Sequence, residues 1–234
     1  MTYVLPNLGP RILWRNVYIV EYLGPLFIHP LIYTSRLVQP SSTQILILAL
    51  ILVHFLKREY ETIYIHRFSN ATMPARNIFK NSFHYWILSG VMLAFFIYSP
   101  SAYAAQASNP LFTYIGLILF VFGELANLNA HIILRNLRAP GTTERGIPSG
   151  FGFSWVSCPN YMFETVAWLG ILLLSRSWAV AVFVIVAVLQ MNAWAKKKET
   201  RHRREFKDTY KFKRFVVLPG ICWCVVAWLV IFEH

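Results

Sequence analysis

Residues 120–141, FVFGELANLNAHIILRNLRAPG, govern the interpretation of this chain because they place charged side chains inside an apolar segment. Ionisable side chains at bilayer depth are costly and usually face a bundle interior or a wet cavity. In this segment polar side chains recur every three or four residues, up to the expected helix end at Pro140. They therefore share one helix face. The residues of this polar face are Glu124, Asn127, His131, Arg135 and Arg138.

The polar face has two interpretations. Its terminal arginines favour a cleft for a phosphorylated ligand entering from the cytosol, since the guanidinium fork pairs well with phosphate. The alternative is a set of interhelical hydrogen bonds that holds a polar bundle together. We favour the ligand, because two arginines at the mouth are more than packing requires.

The composition indicates a membrane protein. Of the 234 residues, 56% are hydrophobic and 14% are charged, and the mean hydropathy is +0.47. In soluble domains about a quarter of the residues are charged. Because about 20 apolar residues cross a bilayer as a helix, we predict an all-α, polytopic membrane bundle of about seven transmembrane helices. The predicted segments are 12–34, 43–65, 83–99, 111–134, 161–175, 177–194 and 215–232.

Positive charge is distributed unevenly between the loops. The chain has 22 Lys and Arg against 10 Asp and Glu, a formal net charge of +12. The connections at 57–80, 135–145 and 196–214 are basic, whereas loop 100–110 has no charge. The positive-inside rule therefore places the basic loops and the N-terminus in the cytosol. We expect no nucleic-acid partner, because no soluble module carries a basic stripe.

A second group of polar residues lies in SWVSCPNYMFETVAWLG, residues 154–170. Pro159 suits a helix start, and Asn160 and Glu164 lie on one face just inside it. Tyr161, one residue round the helix, can donate a proton or a hydrogen bond to a carbonyl oxygen. Taken alone, such a tyrosine also fits the aromatic belt of a membrane interface.

Glu21 lies beside a kink or break predicted at Gly24-Pro25. It is either a cavity carboxylate or a buried structural residue. We predict no metal site, because the chain has no HExxH zinc spacing and its three cysteines form no ligand pattern. It also has no P-loop and no GxGxxG, which excludes the familiar soluble cofactor folds but leaves cofactor use open.

Several runs resemble the very-long-chain trans-2-enoyl-CoA reductases, the family that performs the last step of microsomal fatty-acid elongation. The most specific are HRFSNATMPARNIFKN at 66–81 and VSCPNYMFE at 156–164, and the similarity extends over roughly residues 10–214. The wider resemblance is to the steroid 5α-reductase superfamily, all-α membrane enzymes whose seven-helix bundle encloses NADPH. It implies a multi-pass enzyme of the endoplasmic reticulum that takes a long-chain enoyl-CoA, uses NADPH and works with other elongation enzymes.

The resemblance also implies roles for individual residues. Tyr161 matches the tyrosine taken as the catalytic proton donor, and Glu21 matches the essential acidic residue of an EYxGP motif. Tyr210 matches a tyrosine beside the cofactor, and Lys198, like Arg67, falls near a basic phosphate-binding position. The further positions that the resemblance implies for NADPH are Asn127, His131, Arg138, Asn160 and Glu164.

The resemblance implies that residues 1–234 form one membrane-embedded catalytic domain. As a departure from the resemblance, we expect it to lack the N-terminal ubiquitin-like domain that the elongation reductases carry. The nearest alternative is a steroid or polyprenol reductase of the same superfamily. Phe55, where those enzymes place a tyrosine near the steroid carbonyl, favours the enoyl thioester instead. A transporter would need polar groups on the far helix halves, which are nearly bare. A non-catalytic elongation subunit would not need Tyr161 and Glu21 intact.

Overall fold

The computed structural model describes residues 9–36, 39–68, 71–106, 109–139, 146–210 and 215–219. A π-helical turn, Glu61–Ile65, prolongs the second helix, and the π-helix Phe83–Met92 joins the third helix to the fourth without interruption. The prediction of an all-α fold is confirmed. The helices are α1 (Trp14–Ser35), α2 (Ser42–Tyr60), α3 (Ile78–Ser82), α4 (Leu93–Ile97), α5 (Pro110–Asn136), α6 (Pro159–Ser175) and α7 (Trp178–Phe206).

Two short strands connect the start of α1 to the loop after α2. Strands β1 (Arg11–Leu13) and β2 (Thr72–Pro74) pair antiparallel, with Ile12 opposite Met73. The Arg11 side chain reinforces this pairing by donating to the Thr72 hydroxyl at 2.7 Å and to its carbonyl oxygen at 2.8 Å. Single 3-10 turns occupy Ala75–Asn77, Tyr103–Ala105 and Lys207–Thr209.

Helix α1 is not broken at Gly24-Pro25, where the sequence predicts a kink or break, but continues through Pro25 and Pro30. The Trp86 ring from the π-helix packs against Gly24, and its indole Nε1 donates to the carbonyl oxygen of Val20 at 2.8 Å. This contact anchors α1 one residue before the Glu21 carbonyl, which Pro25 leaves without its helical donor.

Helix α7 is longer than the predicted segment 177–194, because the basic run continues the helix to Phe206. Ala, Lys, Glu and Arg, which dominate this run, all favour helix. The extension matters for the site, since it fixes residues 196–206 on a helix instead of a loop.

The main apolar core lies where α1, α2, α4, α6 and α7 meet. Tyr22, Phe55 and Trp168 are nearly fully buried there, with ring centres 6.4 Å apart for Tyr22 and Phe55 and 6.2 Å for Phe55 and Trp168. Full burial of one large apolar side chain stabilises a fold by about 1.5–3 kcal/mol. This aromatic packing therefore fixes the ends of α2 and α6 on which the polar residues lie.

Glycines bring α5 and α6 into backbone contact. A Cβ atom on Gly123 of α5 would lie 2.5 Å from the Ala167 nitrogen and 2.7 Å from the Phe163 carbonyl oxygen of α6. On the α6 side, Gly170 lies against Gly116 and Phe120 in the same way. Small residues at such positions allow close helix packing within membranes.

Among the helices that the structure describes, two, α5 and α7, are long and apolar enough to cross a membrane. Large apolar side chains such as Phe27, Ile118 and Ile185 are exposed on the outer surface, which favours association with lipid. The predicted count of seven spans is not confirmed: α6 has only 17 residues, and α2 carries charges at its end. Most of the predicted last segment, 215–232, lies outside the described residues.

Candidate active site

Tyr161 lies in the first turn of α6, which begins at Pro159 as the sequence predicts. Its hydroxyl accepts a hydrogen bond from Lys198 Nζ of α7 at 2.9 Å. The same ammonium lies 4.5 Å from the centre of the phenol ring. Both side chains are half-buried. The structure thus brings a residue expected to donate a proton into direct contact with one expected to bind phosphate.

The residue after Lys198 ties α7 to the loop before α6. The Glu199 side chain is fully buried, and its Oε2 accepts hydrogen bonds from Ser157 Oγ and from Tyr210 OH, both at 2.5 Å. Burial and the bond to Glu199 raise the pKa of Tyr210 above its usual range. Tyr210, expected beside a cofactor, is therefore joined to the turn of helix that carries Lys198.

A cluster of buried charges connects the end of α2 with α5. Glu124 lies 2.6 Å from His54 Nδ1 and 2.7 Å from Lys57 Nζ. Glu61 Oε2 lies 2.7 Å from Arg58 Nη1 and 3.0 Å from His131 Nδ1. Each carboxylate thus faces a cation, as buried charges must. We call these side chains the ionic cluster: His54, Lys57, Arg58, Glu61, Glu124 and His131.

Asn127 and Asn160, both expected at the cofactor, are buried neighbours on α5 and α6. Asn127 Nδ2 donates to the carbonyl oxygen of Asn160 at 2.8 Å. Asn127 Oδ1 accepts from Lys57 Nζ at 2.6 Å. The amide of Asn127 therefore links the ionic cluster to the first turn of α6.

Glu21 and Glu164 reach the same region from α1 and α6. Glu21 is buried, hydrogen-bonds Asn81 and interacts electrostatically with Arg58. Glu164 is half-buried and also interacts with Arg58. Tyr18 of α1 lies within electrostatic range of both Glu21 and Tyr161, the two predicted catalytic residues.

Arg138, at the end of the polar face, pairs with Arg67. Arg138 Nη1 donates to the carbonyl oxygen of Arg67 at 2.6 Å, and Arg67 Nη1 donates back to the carbonyl oxygen of Arg138. Arg67 Nη1 also lies 3.3 Å from the carbonyl oxygen of Arg135. Paired guanidinium groups held at one point suit a phosphate.

Sequence reasoning missed Lys57, Arg58 and Glu61 as members of a site, because it placed the first two in a basic loop. The signal was available: together with His54 they recur every three or four residues, as on α5. Arg58 Nη2 also donates to the Tyr22 hydroxyl at 2.7 Å, which extends the cluster to α1.

In the part of the chain that the structure describes, one group of side chains has the geometry to ligate a metal ion: atoms of Glu61, His66 and His131 lie within 4.8 Å of one another. Arg58 Nη1, however, lies 2.7 Å from Glu61 and 3.3 Å from His131, so a cation already occupies that position. Burial, together with the charges of His131 and Arg58, lowers the pKa of His66 to about 3. The geometry favours an arginine-centred network there.

The donors of this region fit a nicotinamide dinucleotide. Arg58 Nε is buried and has no hydrogen-bond acceptor among the described residues, which leaves a donor for a ligand. The amides of Asn127 and Asn160 suit a carboxamide, and Arg67 and Arg138 suit phosphates.

The described residues form a helical bundle with two helices of membrane length, buried charges and a tyrosine–lysine pair, which suggests a membrane-associated protein. Residues 71–222 match the family described as 3-oxo-5-alpha-steroid 4-dehydrogenase. The chain belongs to this family.

Relatives within the family are named for enoyl reduction. The chain is 45% identical to a candidate enoyl reductase of Schizosaccharomyces pombe over 221 residues, which are 91% of this chain and 74% of the relative. It is 41% identical to the very-long-chain enoyl-CoA reductase of Dictyostelium discoideum, covering 93% of this chain and 73% of the relative. It is 28% identical to the trans-2,3-enoyl-CoA reductase-like protein of Mus musculus, covering 94% of this chain and 64% of the relative.

Proposed function

We propose that this chain reduces the trans-2 double bond of very-long-chain enoyl-CoA, the last step of microsomal fatty-acid elongation. The names of its relatives support an enoyl-CoA substrate. The Tyr161–Lys198 pair carries the proposal, because it holds a phenol hydroxyl 2.9 Å from an ammonium at the start of α6. A phenol held in this way is suited to donate a proton to a developing carbanion or enolate.

The reaction needs a hydride at C3 and a proton at C2 of the acyl chain. A nicotinamide cofactor, which we infer to be NADPH, supplies the hydride when bound. Negative charge then develops on the thioester oxygen, where a donor lowers the barrier. Tyr161 delivers the proton to C2, and Glu21, which borders the site with Tyr18, positions the phenol or the thioester.

We infer that the cofactor binds beside Asn127 and Asn160, at the end of the α5–α6 pair where α6 begins. The buried amides there bind and orient the carboxamide, and the Arg67–Arg138 pair binds phosphate at the cytosolic end. The aromatic ring of Tyr210 borders this region through its bond to Glu199. The side chains proposed to contact NADPH are Asn127, His131, Arg138, Asn160, Glu164 and Tyr210.

The substrate's two ends need different surroundings. The acyl chain lies between apolar helices, and the CoA remains at the cytosolic mouth, where the net charge of +12 suits polyanionic ligands. We propose a single multi-pass catalytic domain in the endoplasmic reticulum membrane, with the basic loops in the cytosol. Other fatty-acid elongation enzymes are the proposed protein partners.

The test measures NADPH absorbance after trans-2-hexadecenoyl-CoA is added to the protein in detergent. Tyr161→Phe removes only the hydroxyl, so we expect kcat to fall by about 10²–10⁴-fold. NADPH affinity should stay nearly unchanged. Tyr114→Phe, on the exposed face of α5, is the matched control and should keep its kcat.

Equal turnover in Tyr161→Phe would remove Tyr161 from the mechanism. If the unmodified protein binds NADPH tightly but does not oxidise it when the enoyl-CoA is added, the enoyl-CoA assignment is contradicted. The next substrates would then be sterol and polyprenol enones, since the family description names a steroid reaction.

A further inference from the structure

We propose that Lys198 is a positioning residue for the proton transfer: its ammonium holds the Tyr161 phenol and stabilises the phenolate that remains after the proton has left. This assignment replaces the phosphate-binding role implied by the resemblance. It rests on the proposed function, because it gives Lys198 a task within the same reduction.

The direction of the hydrogen bond carries the first step of the argument. An ammonium has three N–H donors and no acceptor, so in the 2.9 Å contact Lys198 donates and the Tyr161 oxygen accepts. The hydrogen of the Tyr161 hydroxyl is thereby left to point away from Lys198, towards an acceptor in the site. This is the orientation that a proton donor needs.

The surroundings of Lys198 give the second step. The groups with which its ammonium interacts most strongly are Tyr161, Cys158 and Tyr18, and none of these is a carboxylate. The neighbouring carboxylate of Glu199 is bonded to Ser157 and Tyr210 instead. The Tyr161 oxygen is therefore the acceptor that faces the ammonium, and it is also where negative charge would appear during the reaction.

The anchoring of both side chains gives the third step. The Tyr161 backbone nitrogen donates to the carbonyl oxygen of Cys158 at 3.1 Å, which ties the tyrosine to the loop before α6. Glu199, one residue after Lys198, bonds to Ser157 of the same loop. One short segment thus fixes both partners, and such preorganisation maintains the productive geometry.

The O–H bond of Tyr161 breaks as a C–H bond forms at C2, and the electron pair of the broken bond stays on the phenol oxygen. The Lys198 ammonium stabilises this phenolate through a charge-assisted hydrogen bond. A proton from water then restores the phenol, and Lys198 keeps its charge throughout.

The experiment compares Lys198→Met with Lys198→Arg, and with Lys197→Met as the matched control. Lys197 lies one residue away on the same helix, and its removal deletes the same charge. We expect Lys198→Met to lower kcat by about 10²-fold, the usual cost of losing one donor to a developing anion. The KM for the enoyl-CoA and the Kd for NADPH, measured by quenching of tryptophan fluorescence, should change by less than about threefold on this account.

A rescue experiment separates positioning from folding. Lys198→Ala leaves room for a small amine, so methylammonium should restore part of kcat. Tetramethylammonium, which has the charge but no N–H donor, should not. Lys198→Arg should keep more activity than Lys198→Met, because the guanidinium still donates.

Three results would overturn the proposal. An unchanged kcat in Lys198→Met shows that the bond to Tyr161 is not used. A large rise in the NADPH Kd with unchanged kcat returns Lys198 to phosphate binding. Lys198 is structural if methylammonium does not restore the kcat of Lys198→Ala and the melting temperature of that variant is lowered as well. If the unmodified protein does not reduce the enoyl-CoA, the proposed function itself fails, and the role of Lys198 fails with it.

Discussion

Asn127 donates from its amide nitrogen to the carbonyl oxygen of Asn160, 2.8 Å away, and this bond crosses from α5 to α6. The other end of the same amide accepts from Lys57 of α2 at 2.6 Å. One buried side chain therefore connects three helices, using one of its two N–H donors and one lone pair of its oxygen. Such a residue is structural, and it also lies close to any ligand bound at the start of α6.

Replacing Asn127 with Leu should lower stability. The substitution leaves the Asn160 carbonyl and one Lys57 N–H without their partner, and an unsatisfied buried group costs about 1–3 kcal/mol. We expect a lower melting temperature in detergent. Asn136→Leu, exposed at the end of the same helix, is the control and should change little. Equal melting temperatures for the two variants would contradict the structural role.

The ionic cluster leads to a second prediction. Glu61→Leu removes the carboxylate that faces Arg58 at 2.7 Å and His131 at 3.0 Å. A buried cation without its partner destabilises a fold by about 3–5 kcal/mol. Thermal unfolding should therefore occur at a much lower temperature than in Glu205→Leu, where the side chain is exposed. Adding Arg58→Met to Glu61→Leu should recover part of the loss, because the unpaired charge is then gone.

His66 makes stability depend on pH. It lies in the loop after the π-helical turn that prolongs α2, facing His131, Arg58, Glu61 and Lys198, and its pKa is lowered to about 3, chiefly by burial. An unfolded histidine has a pKa of about 6.5. Between these values the unfolded chain binds a proton that the folded chain does not, so stability falls as the pH falls below about 6.5.

Through His66 alone, the free energy of unfolding changes by at most about 1.4 kcal/mol per pH unit. His66→Gln cannot titrate, so its melting temperature should fall less than that of the unmodified protein between pH 7 and pH 5. The measurement is thermal unfolding in one detergent across this pH range. Parallel curves for the two proteins would show that His66 does not cause the dependence.

Local patterns in the sequence predicted much of the fold. Apolar segments of helical length predicted the helical class, and Pro159 predicted where α6 begins. The spacing of Glu124, Asn127 and His131 correctly predicted a polar face buried within a bundle. These features depend on residues within a few turns of each other, so the sequence contains them directly.

Contacts between distant segments could not be predicted in the same way. Lys198 and Tyr161 are 37 residues apart, and only the packing of α7 against α6 brings them together. The resemblance predicted that Lys198 lies near a phosphate-binding position, but it did not predict the hydrogen bond to Tyr161. Arg58 and Glu61 were missed for a related reason. A charged residue after an apolar run suggests the start of a loop, and the local sequence does not show that a neighbouring helix buries it.

The close packing of α5 and α6 leads to the last prediction. A Cβ atom on Gly123 would lie 2.5 Å from the backbone nitrogen of Ala167, and backbone cannot move aside as a flexible side chain can. Gly123→Ala should therefore push the helices apart and cost about 1–3 kcal/mol, as overpacking usually does. Asn127 lies one turn further along α5, so its bond to Asn160 should lengthen as well.

Two measurements test this account of Gly123. The melting temperature of Gly123→Ala should fall, and its NADPH affinity should fall with it, since the amides of α5 and α6 no longer keep their spacing. Gly146→Ala is the control, because its Cβ would approach nothing nearer than the Leu137 side chain, at 3.3 Å. A Gly123→Ala protein with unchanged melting temperature would show that α5 and α6 tolerate separation. Lower stability with unchanged NADPH affinity would instead place the cofactor away from this helix pair.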